Sequence, residues 1–335
     1  MRRRGVMGRR ALLALCAALA IAGGAASGPA AAAEAGDPAP LKIVATTGMI
    51  ADAVRAVGGE AAEVRALMGP GVDPHAYRQN RSDVLAMTRA DIVFWNGLYL
   101  EAQMESFLLR LGERSRVVAL AEAAPTDRLI AHDDYPDRQD PHLWMEPALW
   151  AQTIAAIRDA MIAERPAQAA LFTANAQAYV AELEALDAYG RKVLGSVPEE
   201  SRVLLTAHDA FNYFGRAYDF EVMGVQGIST ESEAGVARIA ELARLLAERR
   251  IGAVFVETSV SDRNMRALIE GAAAEGHAVA IGAELYSDAM GPKGSYEGGY
   301  LGMMDHNFTA IARALGGEAP VGGRLGRLAL PEEGS

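Results

Sequence analysis

The sequence predicts an α/β protein: two (β/α) lobes with mainly parallel sheets, joined by a single long backbone helix. Three observations carry that prediction. From Leu41 onward, short apolar runs alternate with amphipathic stretches, the pattern of strands layered with helices. The same pattern restarts near Arg202. Between the two, 166–198 keeps Leu171, Phe172, Tyr179, Val180, Leu183, Leu186, Val193 and Leu194 at helical spacing without a break.

In the first half, 42–46 (KIVAT) is a strand and 49–57 a helix stopped by Gly58-Gly59. A second strand, 63–68, runs into Gly69-Pro70-Gly71, a loop by its turn residues. Segments 90–95 (ADIVFW) and 116–120 (RVVAL) are further strands, with a helix between Leu100 and Leu111 and another over 147–163. Pro166 suits a first helical turn, and Gly195 followed by Pro198 is a stop signal. About 29 helical residues at ~1.5 Å each make a rod of roughly 44 Å, longer than an ordinary domain helix and suited to a stiff connector. In the second half, strands fall at 202–205, 221–225, 253–256 and 278–281. Helices fall at 209–218, 234–249, 262–275 and 298–315. The expected division is therefore 1–33, an N-terminal lobe 34–163, a linking helix 164–198 and a C-terminal lobe 199–335.

Residues 1–33 stand apart. MRRRGVMGRR, then ALLALCAALAIAGGAA, then SGPAAAA has the charged start, short apolar core and Ala-rich end of a cleaved secretory signal, with cleavage near Ala33. The apolar core falls short of the ~20 residues that span a bilayer, and no other stretch reaches that length. Cys16 follows Leu15 rather than a small residue, which argues against a lipid anchor. Arg9-Arg10 is a loose match to a twin-arginine signal. Losing this segment removes five arginines and no acid, taking the net charge from −11 to −16. It also removes the only cysteine, which suits an oxidising compartment, periplasmic or extracellular.

Composition narrows the function. Of 335 residues, 51% are hydrophobic and 22% charged, values of a globular chain rather than a disordered one. Its acidity argues against a nucleic-acid partner, which needs a basic surface to displace counterions. A single cysteine excludes a disulfide framework, a cysteine zinc finger and an iron–sulfur cluster. The chain contains no GxxxxGK[ST], GxSxG or HExxH pattern and no GxGxxG after a strand, so the common enzyme signatures are missing.

The six histidines are more informative. His75 and His142 both close an Asp-Pro-His triplet, Asp73–His75 and Asp140–His142. Proline stiffens the chain beside each imidazole. The aspartate can take the ring's other N–H or cap the local backbone. His208 follows the strand 202–205 directly, and Asp288 lies beyond the strand 278–281. Side chains at the carboxyl ends of parallel strands face the crevice where α/β folds bind ligands. Three imidazoles and one carboxylate converging there, in an interlobe cleft, suit a borderline divalent metal. Glu257, just after the strand 253–256, is a candidate acceptor behind this set and equally suits a buried structural carboxylate. His132 is expected to be solvated in a polar loop, His277 to sit at a helix C-terminus, and His306 to occupy a face of the last helix.

The chain resembles the zinc/manganese solute-binding proteins of bacterial ABC metal importers. The carriers of the likeness are KIVATTGMIADAV, GPGVDPHAY, DPHLWMEP, TAHDAFNYFGRAYDFEVMGVQGIST, FVETSVS, YSDAMG and GSYEGGYLGMMDHN, in order from Leu41 to Gly317. The resemblance implies two lobes, a backbone helix and a metal between them, with ligands at His75, His142, His208 and Asp288. It implies Zn2+ or Mn2+ as transported ligand, an inner-membrane ABC permease as partner, and a monomeric periplasmic carrier that is not an enzyme. Some members carry glutamate at the third position, a form associated with manganese, where this chain has His208. Zinc-devoted members often carry a long His-rich loop, replaced here by 126–140 with the single His132. The competing readings are a secreted zinc-dependent hydrolase, which needs an open coordination position for water, and a chelate- or siderophore-binding relative, against which the His3Asp set speaks.

Overall fold

The computed structural model describes residues 39–132, 137–232 and 234–330. The expected signal segment and its cleavage site lie outside the described residues. From Ala39 onward the chain forms one compact unit. Among the described residues, eight strands assemble into two four-stranded sheets, orders β2-β1-β3-β4 and β6-β5-β7-β8, with every strand pairing parallel. The first sheet comprises β1 (Leu41–Ala45), β2 (Ala62–Ala66), β3 (Ile92–Trp95) and β4 (Arg116–Ala119). The second comprises β5 (Val203–Thr206), β6 (Glu221–Gly224), β7 (Ala253–Glu257) and β8 (Ala280–Leu285). Central strands β3 and β5 are buried along their whole length, as parallel strands covered by helices on both faces must be.

Helices α1 (Gly48–Gly58), α4 (Pro147–Glu164) and α9 (Tyr300–Ala314) share one large apolar core with both sheets. The opposite face of the first sheet packs Val44, Val93 and Trp95 against Met87 of α2 (Arg81–Arg89) and Leu108 of α3 (Glu105–Gly112). The opposite face of the second packs Leu205 and Val254 against Leu242 and Leu246 of α7 (Val236–Arg249) and Leu268 of α8 (Arg263–Ala274).

The connector is α5 (Ala169–Leu194), 26 residues after a 3-10 turn at Pro166–Gln168. Its rise is about 39 Å at ~1.5 Å per residue, shorter than expected because the proline turn does not join the α-helix. Phe172, Ala176, Tyr179, Leu183, Leu186, Gly190 and Val193 make a continuous buried stripe at steps of three and four. Residues flanking the stripe bond to both halves. Asn175 Nδ2 donates to Val57 O of α1 at 2.9 Å, and Tyr189 Oη pairs with Thr309 Oγ1 of α9 at 2.8 Å. Gly190 is the point of closest approach, since a Cβ there would lie 2.8 Å from the Phe308 ring.

Three differences from the sequence reading have local causes. Helix α2 has a weak apolar stripe and is set instead by a capping box, in which Asn80 Oδ1 accepts from Ser82 N and Asp83 N while Asp83 returns to Asn80 N. The helix expected from Leu100 begins at Glu105, because Gly97, Leu98 and Tyr99 take positive φ and the chain turns before it coils. Strand β8 runs on to Leu285, carried past a register shift beside β7. Among the described residues, no helix is long and apolar enough to cross a membrane.

Candidate metal centre

Four loops deliver the four expected side chains to one point. His75 sits in the turn between β2 and α2, and His142 just ahead of the 3-10 turn Leu143–Met145 that leads into α4. His208 lies two residues past β5, and Asp288 three past β8. Their ligating atoms all fall within 4.8 Å of one another. His75 Nε2 and His142 Nε2 are 3.2 Å apart. Asp288 Oδ2 is 3.1 Å from His208 Nε2 and 3.6 Å from His75 Nε2, and Asp288 Oδ1 is 3.5 Å from His142 Nε2. These separations match the edge of a tetrahedron around Zn2+, roughly 3.3 Å for metal–ligand distances of ~2.0–2.1 Å.

The donors are buried: His142 and His208 show 0% exposure, His75 and Asp288 2%. His208 Nε2 and both Asp288 oxygens make no well-aligned hydrogen bond within the protein. Buried polar atoms without partners cost stability, so an ion that accepts all three accounts for their retention. The charges respond to this enclosure. Burial pushes His75 down to about 3, favouring the neutral ring that a metal needs. His208 is raised, because Glu257 and Asp288 together outweigh its burial. Asp288 stays well below the usual carboxylate range despite its burial, held there by His208, His142 and His75.

A second layer orients the donors. His208 donates its backbone N–H to Glu257 Oε1 at 2.9 Å, and its Nδ1 pairs with Glu257 Oε2 at 2.7 Å, leaving Nε2 aimed at the cluster. Asp140 Oδ1 accepts both the backbone N–H of His142 at 2.9 Å and its Nδ1 at 2.7 Å. Asp73, in the matching triplet, accepts only the backbone N–H of His75, at 2.8 Å, and spends its other oxygen on the Thr230 hydroxyl. Asn307 fixes the approach to Asp288 by accepting from Tyr286 N at 3.0 Å and donating to Tyr286 O at 2.6 Å.

The remaining histidines lie elsewhere. His132 is not solvated as expected: it is 9% exposed, because the backbone pairings of His132 N with Arg138 O and Asp140 N with Ile130 O fold its loop inward. It lines a cavity of about 700 Å3 together with His75, Tyr99, Asp209 and residues of the β6–α7 loop. His277, beyond the end of α8, pairs through Nε2 with Ile251 O at 2.8 Å. His306, on α9, pairs with Glu284 O at 2.9 Å and packs on the Tyr286 ring. Sequence reasoning missed Trp144, Asn212 and Tyr213, whose polar atoms tie the His142 segment to the second half of the chain. All three stand in the segments DPHLWMEP and TAHDAFNY, so position beside the histidines was their only signal.

Two parallel α/β lobes closing on a buried set of three imidazoles and one carboxylate define a two-lobed binding protein with a donor set suited to a divalent cation. Comparison with known proteins gives the family. Residues 43–314 match the family described as zinc-uptake complex component A, periplasmic, and the chain belongs to that family. It is 46% identical over 275 residues to the manganese-binding lipoprotein MntA of Bacillus subtilis, a match covering 82% of this chain and 90% of that one. It is 43% identical over 281 residues to the zinc-binding protein TroA of Treponema pallidum, covering 84% and 90%. The solved structure of the Treponema protein matches this one with a TM-score of 0.80, over 83% of this chain and 99% of that one.

Proposed function

We propose that the protein captures a divalent transition metal, Zn2+ or Mn2+, outside the cytoplasmic membrane and hands it to the permease of an ABC importer. In this reading His75, His142, His208 and Asp288 are the ligands, and the lobes they bridge span 34–163 and 199–335 on either side of the 164–198 connector. The observation that carries it is the buried cluster of four donor side chains within 4.8 Å, in which His208 Nε2 and both Asp288 oxygens lack a hydrogen-bond partner. Four protein ligands complete a tetrahedral shell and leave no position for an activated water, so the site suits carriage rather than catalysis. The names of the manganese- and zinc-binding relatives support the same class of cargo. An N-terminal export signal and a monomeric, periplasmic state complete the reading. Ligation requires neutral imidazole, so affinity falls as the pH drops through the imidazole range.

Metal content and competitive chelator titration of the stripped protein, beside His208→Ala, test this. One tightly held ion per chain, lost or greatly weakened in the variant, is the expected result. An intact protein that binds no stoichiometric divalent ion overturns the reading.

A further inference from the structure

The two triplet histidines are held in unequal ways. The His142 segment is bolted to the second lobe. Tyr213 Oη donates to Asp140 O at 2.7 Å, Asn212 Nδ2 donates to Asp140 Oδ2 at 3.1 Å, and Trp144 Nε1 donates to Ser287 O at 2.9 Å. Nearby, Tyr300 Oη donates to Trp144 O at 2.5 Å and Arg216 pairs with Glu146 at 2.6 Å. The His75 segment has no such set. Among the described residues and apart from the ligand cluster itself, one hydrogen bond ties 69–77 to the second lobe: Thr230 Oγ1 donates to Asp73 Oδ2 at 2.6 Å.

Thr230 belongs to the loop between β6 and α7, which regular structure does not hold. Gln226 Nε2 braces it from within by donating to Ser232 O at 3.0 Å, and Gly227 O accepts from Asp209 N at 3.3 Å. The loop therefore touches the residue after His208 with one end and the carboxylate that caps His75 with another. It also lines the cavity that reaches His75. Helix α5 is seated on both α1 and α9, an arrangement that favours release by a local movement over a hinge between the lobes.

Resting on the metal-carrier reading, we propose that Thr230 is a positioning residue for metal retention. Its hydroxyl latches the β6–α7 loop to Asp73, holding His75 in the cluster, and opening of this latch is the step that releases the ion on the cavity side. Asp73 has one oxygen on each side of the latch, so loss of the Thr230 bond loosens the backbone that carries the imidazole.

The test is the dissociation rate of Zn2+ from the loaded protein into excess EDTA, followed by stopped flow through Trp144, whose ring lies 5.3 Å from that of His142. Thr230→Val keeps the shape and removes the hydroxyl, while Thr230→Ser keeps the hydroxyl. A lost hydrogen bond to a carboxylate predicts dissociation roughly tenfold or more faster for the valine variant. The serine variant stays near wild type, and the metal-free forms of both variants still unfold in one cooperative transition, which separates faster release from loss of the fold. A valine variant that releases Zn2+ at the wild-type rate overturns the latch while leaving the carrier reading standing. So does a serine variant as fast as the valine one, since the hydroxyl would then not be the cause. A wild-type protein that holds no Zn2+ overturns the carrier reading and the latch together.

Discussion

Replacing Glu257 with glutamine exchanges one oxygen for an NH2 and tests whether the layer behind the proposed ligands governs affinity. Glu257 is 3% exposed and gives both oxygens to His208, one to its backbone N–H at 2.9 Å and one to Nδ1 at 2.7 Å. A glutamine of the same shape has one oxygen to give. If that oxygen stays on the backbone, its NH2 faces Nδ1 and forces the ring proton onto Nε2, the atom that points at the cluster. If it faces Nδ1 instead, two donors confront each other at the backbone N–H. Either arrangement opposes a His208 ready to ligate. Loss of such a partner costs about 10–100-fold in metal affinity, or about 1.4–2.8 kcal/mol at ~1.4 kcal/mol per decade. Competitive titration of Zn2+ against a chelator at fixed pH reads this directly, with His208→Ala as the floor. A Glu257→Gln protein that binds Zn2+ as tightly as wild type, beside a His208→Ala protein that does not, refutes the argument.

Two further expectations concern stability. Burial holds His306 below the usual imidazole range, so the folded state keeps it neutral while the unfolded chain takes up a proton near pH ~6.5. Stability is therefore lost as the pH falls below about 6.5; His306→Gln should reduce the difference between urea midpoints of the metal-free protein at the two sides of that value, and an unchanged difference contradicts the assignment. Leu186→Ala cuts the buried stripe of α5 at a fully enclosed position and should cost about 2–5 kcal/mol in chemical denaturation; a variant as stable as wild type would show that this helix is not the spine of the fold.

Much of this molecule was legible before any coordinates. Apolar runs such as IVFW and VLLT suit a central strand by their short length, and both are buried along their length in a parallel sheet. The stripe of α5 was legible because its period persists for 26 residues. Helix α2 was not, since its start depends on a side chain, Asn80, bonding to backbone that must already be turning. The four clustered residues were legible as strand-end and repeated-motif positions. Which atom braces each of them was not. Asp73 and Asp140 stand in identical triplets, yet Asp140 takes the Nδ1 of His142 while Asp73 reaches across to Thr230. That choice is made by what the opposite lobe presents, Asn212 and Tyr213 in one case and a loop hydroxyl in the other. Thr230 lies 157 residues from Asp73, a separation at which no local pattern speaks.

The donor set also orders the cargo. Three imidazoles and one carboxylate hold Zn2+ more tightly than Mn2+ at any common geometry. The set offers one carboxylate where a hard ion prefers several oxygen ligands, which leaves Mn2+ the weaker binder. Zinc should therefore displace manganese in direct competition. Manganese carriage by this chain then requires surroundings in which free zinc is scarce, so that selection rests with supply and with the permease that receives the ion.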